Sequence, residues 1–82
     1  MKYREWKAKT MTRLIEIARE TTDPRVKNDV DALMRKLTWL KSRDISIWLS
    51  DLYQASKNAP QLLQLAPTAA QVEEWFSWHD DD

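Results

Sequence analysis

The chain has 82 residues, 13 Lys/Arg balanced by 13 Asp/Glu, five Trp, no Cys and no Gly. Without Cys there is neither a disulfide framework nor a thiolate metal site, which fits a reducing, cytoplasmic compartment. Without Gly, the phosphate-cradling loops, dinucleotide fingerprints and calcium loops that need a residue at positive φ are excluded, and tight hairpin turns are disfavoured.

What remains is one all-α domain, a small antiparallel helical bundle of four to five helices: three long, one short and one C-terminal. Its expected stability is roughly 4 to 12 kcal/mol on the usual per-residue range. The opening Met1 to Thr10 is too charged for a signal peptide, and no apolar run approaches the roughly 20 residues that span a bilayer, so no transmembrane segment is expected. Charge is segregated along the chain. Residues 1–43 hold 12 Lys/Arg against 6 Asp/Glu and residues 44–82 hold 1 against 7, giving +6 and −6. Such a balance serves a solvated rim where the halves fold together, a basic surface for an acidic partner, or head-to-tail association between unlike ends.

In the first segment, Lys2 to about Glu20, Met11, Leu14, Ile15 and Ala18 recur at helical spacing, and Tyr3 and Trp6 continue along one edge. Its first two turns carry Lys2, Arg4, Lys7 and Lys9 against Glu5 alone, placing cations at the positive end of the helix dipole. That end frays unless something holds it. A basic amphipathic segment with Tyr and Trp suits a membrane surface or a partner's groove; it equally suits packing of Trp6 on the next helix.

Thr21 and Thr22 end this helix. Asp23 then offers a cap and Pro24 a first helical residue with no amide to orphan. From Asp23 to Ser42, Val26, Val30, Leu33, Leu37 and Leu40 recur at steps of 4, 3, 4 and 3, one buried seam. So short a link makes the two helices an αα-hairpin. Ser42, Arg43 and Asp44 break the second helix, with Ser42 or Asp44 available to cap a third from about Asp44 to Lys57. There Ile45, Trp48, Leu49, Leu52 and Tyr53 mark the apolar face. Asn58, Ala59 and Pro60 stop it. Gln61 to Ala66 reads as one or two helical turns before Pro67. Thr68 with Gln71 forms a capping box for the last helix, whose face carries Val72, Trp75, Phe76 and His79. The terminal Asp80, Asp81 and Asp82 read as a disordered acidic tail.

The five Trp do not sit alike on these wheels. Trp48 and Trp75 fall on core faces. Trp39 lies roughly 140° from the seam of its helix, on a stripe with Ala32 and Arg35. Either a later helix covers that stripe, or Trp39 is exposed with Arg35 stacked on the indole and serves as a binding anchor. Ile47 falls opposite the core face of helix three, and Trp78 at the edge of the last helix. Trp39, Ile47, Trp75 and Trp78, with Trp6 and Arg35, are the candidate partner-binding residues.

Catalysis is not expected. There is one His and no Cys, His79 has no ligand partner one turn earlier, and Glu73 and Glu74 are adjacent on a helix and point about 100° apart. No cofactor or metal is implied. Nucleic-acid binding draws on Arg35, Lys36, Lys41 and Arg43 near one helix end. Helix three makes a poor major-groove reader, since its outward residues Asp44, Ser46, Ile47, Ser50, Asp51 and Gln54 include two acids and no Arg or Lys.

The short, cysteine-free and glycine-free helical chain, with its Met1-Lys2-Tyr3-Arg4-Glu5-Trp6 start, resembles the small cytoplasmic regulators of tailed phages. More narrowly it looks like the accessory lysis-inhibition proteins of T-even phages, encoded at the third rapid-lysis locus. The resemblance covers length and character and transfers no site residue. It implies binding to the cytosolic part of a holin and delayed membrane permeabilisation. The residues themselves lead to a non-enzymatic regulator that binds a protein partner and forms a homodimer, with a nucleic-acid-binding regulator using the basic half as the alternative.

Overall fold

The computed structural model describes residues 2–78, with side chains through residue 76. Helix α1 spans Tyr3–Glu20, α2 Pro24–Thr38, α3 Ile45–Ala55 and α4 Ala69–Trp78, with 3-10 segments at Ser42–Asp44 and Pro60–Leu65. The described residues contain no strand. The fold is all-α, with α1 antiparallel to α2 and α3 running back along α2.

Local chemistry sets most boundaries where the sequence puts them. Asp23 Oδ1 accepts the Arg25 amide at 2.9 Å, and Pro24 opens α2. At α4 the capping box closes in both directions. The Gln71 amide donates to Thr68 Oγ1 at 3.1 Å, and the Thr68 amide donates to Gln71 Oε1 at 3.0 Å. The Pro60–Leu65 segment forms the one or two turns expected there, in 3-10 geometry.

Two boundaries differ. Helix α2 stops at Thr38 rather than Ser42, because Trp39 leaves the helical region at φ −110°, ψ 7° and the amides of Trp39 and Leu40 bond to the carbonyls of Lys36 and Leu37. The last turn thus tightens from i−4 to i−3 spacing. Leu40 falls outside the helix, and its carbonyl becomes free to accept the Tyr3 hydroxyl at 2.7 Å and Lys7 Nζ at 3.0 Å. Those bonds hold the basic start of α1, the end otherwise prone to fray. Helix α3 begins one residue past Asp44, whose side chain makes no cap bond; the Asp44 amide bonds to the Lys41 carbonyl instead.

The core is aromatic at its centre. Tyr3, Trp6, Trp48 and Trp75 are all buried, and Trp6 sits 5.7 Å from Tyr3, 5.4 Å from Trp48 and 5.5 Å from Trp75 between ring centroids. Stacked, edge-on and tilted contacts of this kind add about 0.5 to 1.5 kcal/mol per pair beyond area burial. Each paired indole N–H has somewhere to go: Trp6 Nε1 donates to the Leu65 carbonyl at 2.9 Å, and Trp48 Nε1 to the Leu33 carbonyl at 3.0 Å. The α2 seam of Val26, Val30, Leu33 and Leu37 is buried as the periodicity predicts.

The buried face of α1 is rotated from the predicted one. It runs Tyr3, Trp6, Thr10, Leu14 and Ile17, which leaves Met11 and Ala18 on its flanks and Ile15 exposed. The two large rings decide this. Burying Tyr3 and Trp6 outweighs burying Ile15, at the cost of taking Thr10 inside.

Candidate functional site

The antiparallel hairpin brings the start of α1 and the end of α2 to the same end of the molecule, tied by the Tyr3 and Lys7 bonds to Leu40. Both basic stretches therefore meet there: Lys2, Arg4, Lys7 and Lys9 from one side, Arg35, Lys36, Lys41 and Arg43 from the other, against Glu5 and Asp44. Beside them Trp39 is 84% exposed and Ile47 66% exposed. Trp39 follows Lys36 by three residues and Ile47 precedes Asp51 by four. The Lys36 Nζ to Asp51 Oδ2 ion pair, 2.6 Å long, joins the two stripes across the surface.

Behind that pair runs an open groove of about 350 Å³ between α2 and α3, floored by Ala32, Leu33 and Ala55 and edged by Asp29, Gln54 and Asn58. Ala32 lies in this groove, so no later helix covers the stripe that leads to Trp39. Arg35 is exposed on α2 one turn before Trp39. The cation seated over a ring is Lys7, 5.8 Å from the Tyr3 centroid.

Trp6 and Trp75 are corrected by the structure. Both are sealed in the aromatic core, where Trp75 meets Tyr3 edge-on at 5.4 Å, so neither offers a surface to a partner. The same burial removes the reading of α1 as a membrane-surface helix, since its Tyr and Trp face inward. The Trp78 side chain, His79 and the Asp80 to Asp82 tail lie outside the described residues.

Compared with protein-family models, curated proteins and solved structures, the chain matches none. The likeness to phage lysis-inhibition proteins gains no support from them. Among the described residues no group of three or more Asp, Glu or His side chains is placed to hold a metal ion, and no helix is long and apolar enough to cross a membrane.

A second surface escaped the sequence reading. Leu49, Tyr53 and Phe76 were expected on core faces, yet Tyr53 is 49% exposed, Phe76 37% exposed and Leu49 half-buried. Together with Val72 they line an apolar groove of about 430 Å³ between α3 and α4. It stays open because α4 packs mainly on the Ser42–Asp44 turn and commits Trp75, not Phe76, to the core. The available signal was the width of the apolar arc on α3: Ile45, Trp48, Leu49, Leu52 and Tyr53 span more of the helix than one neighbour covers.

Proposed function

We propose that this chain is a non-enzymatic regulator that binds a protein partner through its Trp39 end. The observation that carries the reading is the contrast among the indoles. Three are buried in one cluster, while Trp39 stands almost wholly in solvent beside Ile47 and a collar of cations. An exposed indole forgoes about 1.5 to 3 kcal/mol of burial that a partner's pocket recovers, and Trp and Arg are among the residues enriched at interface hot spots. The partner that fits presents an apolar slot with acidic residues around it. Cations at the rim then speed encounter more than they deepen affinity.

Capture from extract of the native host, with wild-type and Trp39→Ala proteins immobilised side by side, tests this directly. The variant is expected to lose the partner while its urea midpoint stays unchanged; equal capture by both defeats the assignment. The phage resemblance supplies the first partner to try, the cytosolic segment of a T-even holin. A segment that fails to bind the wild-type protein removes the lysis-inhibition reading.

The convergence of both basic stretches on one end also favours a second reading, nucleic-acid binding with Trp39 stacked on an unpaired base. Titration of single-stranded and duplex DNA over several salt concentrations decides it. A binding constant falling with salt by about 0.7 to 0.9 log units per contacted phosphate supports the reading. Absence of binding at low salt excludes it.

A further inference from the structure

We propose that the groove between α3 and α4 receives helix α1 from a second copy of this chain. Apart from Arg4, its residues are not those of the Trp39 surface, so the proposal does not depend on that reading.

The groove has the shape for one apolar stripe of a helix. Its α4 wall runs from Ala69 to Phe76, about 10 Å at 1.5 Å per residue, which accommodates two side chains one turn apart. Tyr53 and Phe76, both exposed, and the half-buried Leu49 and Val72 line it from α3 and α4. The occupant is given by what the rest of the chain leaves uncovered. On α1 the residues Arg4, Ala8, Met11, Ile15 and Arg19 recur at steps of 4, 3, 4 and 4, a single stripe. Met11 is half-buried and the other four are exposed. This stripe is centred about 140° around α1 from the Tyr3–Ile17 face that packs into the core; Met11, at its edge nearest that face, packs partly on its own core, while Ala8 and Ile15 face away from it. Met11 and Ile15 are one turn apart and match the two positions the groove holds.

Charge selects the same pairing. Glu73 stands at the groove's edge with Glu74 exposed beside it, and the apolar centre of the stripe is bracketed by Arg4 and Arg19. Each copy therefore carries one basic-flanked stripe and one acid-edged groove. Two copies that engage reciprocally about a two-fold axis bury both pairs at once and close as a dimer.

Light scattering behind gel filtration, run from micromolar to millimolar concentration, reads the result. The wild-type mass is expected to rise from 9.8 kDa towards twice that value. Ile15→Asp and Phe76→Asp are each expected to stay monomeric while keeping wild-type helicity. Mixed one to one they should form a heterodimer, because one retains the groove and the other the stripe; a like-to-like interface would not be restored by mixing. Should either Asp variant fail to fold, the double charge reversal Arg4→Glu with Arg19→Glu, at exposed positions, is expected to weaken association at least tenfold. A wild-type chain monomeric throughout, a mixture that stays monomeric, or a charge reversal without effect overturns the proposal. So does loss of association in Trp39→Ala, which would move the contact to the Trp39 surface, or capture of a foreign basic helix by a groove that ignores its own α1.

Discussion

At the scale of single residues, the four tryptophans whose side chains are described separate into three that hold the fold and one left for other work. Trp48 is buried on every side, meets Trp6 edge-on and donates to a backbone carbonyl inside α2. Trp48→Ala removes that ring, the bond and the contact with Trp6, and is expected to cost about 3 to 5 kcal/mol. Against a total of roughly 4 to 12 kcal/mol for a chain this size, the variant is marginal or unfolded at room temperature. Urea denaturation followed by circular dichroism checks it. Trp39→Ala, by contrast, is expected to move the unfolding free energy by no more than about 0.5 kcal/mol, as surface changes away from special features do. A large loss there would mean that the indole supports the fold, and the binding assignment would fall with it. The Lys36 to Asp51 pair belongs with the small effects: both side chains are well exposed, so even at 2.6 Å it contributes no more than about 1 kcal/mol.

Elements were legible where local chemistry and periodicity act together. Asp23-Pro24 and the Thr68/Gln71 box each satisfy their own first-turn amides, so their signals need no tertiary partner to come true. The α2 seam was legible from Val26 to Leu37 because that helix face meets two neighbours and is buried; Leu40, its last expected member, lies past the helix end and is half-buried. Three features were not legible, for a common reason: each depends on what lies across from the residue. The end of α2 was misplaced because its last turn tightens at Trp39 and Leu40, where the Leu40 carbonyl takes bonds from Tyr3 and Lys7, residues 37 and 33 positions distant. The α1 face was misread because the wheel weighs Ile15 like any other apolar residue, while two aromatic rings fix the rotation. Tyr53 and Phe76 were placed inside because a wheel reports a face and not the distance to the next helix. The candidate site shares this division: Trp39 and Ile47 could be set off their cores by angle alone, whereas the burial of Trp6 and Trp75 required the cluster they form with each other. The capping box also supplies an element-scale test. Thr68→Ala leaves the Gln71 amide without its acceptor and should cost about 1 kcal/mol. Because the box closes only the first turn of α4, the loss is expected as faster amide exchange confined to α4; uniform acceleration across α1 to α3 would show that the cap, through Trp75, supports the whole bundle.

For the whole molecule, the antiparallel hairpin converts a charge gradient along the chain into a division of surfaces. The cations of residues 2–9 and 35–43 gather at one end because α1 and α2 run in opposite directions, and the half that contains α3 and α4 carries the acids. An acidic partner and a second copy are then drawn to different places. At physiological salt the screening length is about 8 Å, so each surface acts mainly on what approaches it closely. This separation has a consequence that one variant can read. Reversing Arg35 and Arg43 to Glu turns two of the collar's eight cations into acids without touching the α1 stripe or the α3–α4 groove. Association with an acidic partner is expected to slow by at least about tenfold, mostly in the on-rate, because rim charges steer encounter. Dimer formation should be unaffected. Stopped-flow binding and light scattering on the same sample report the two effects separately. If both change together, the two surfaces are a single one, and the division of labour drawn from the hairpin is wrong.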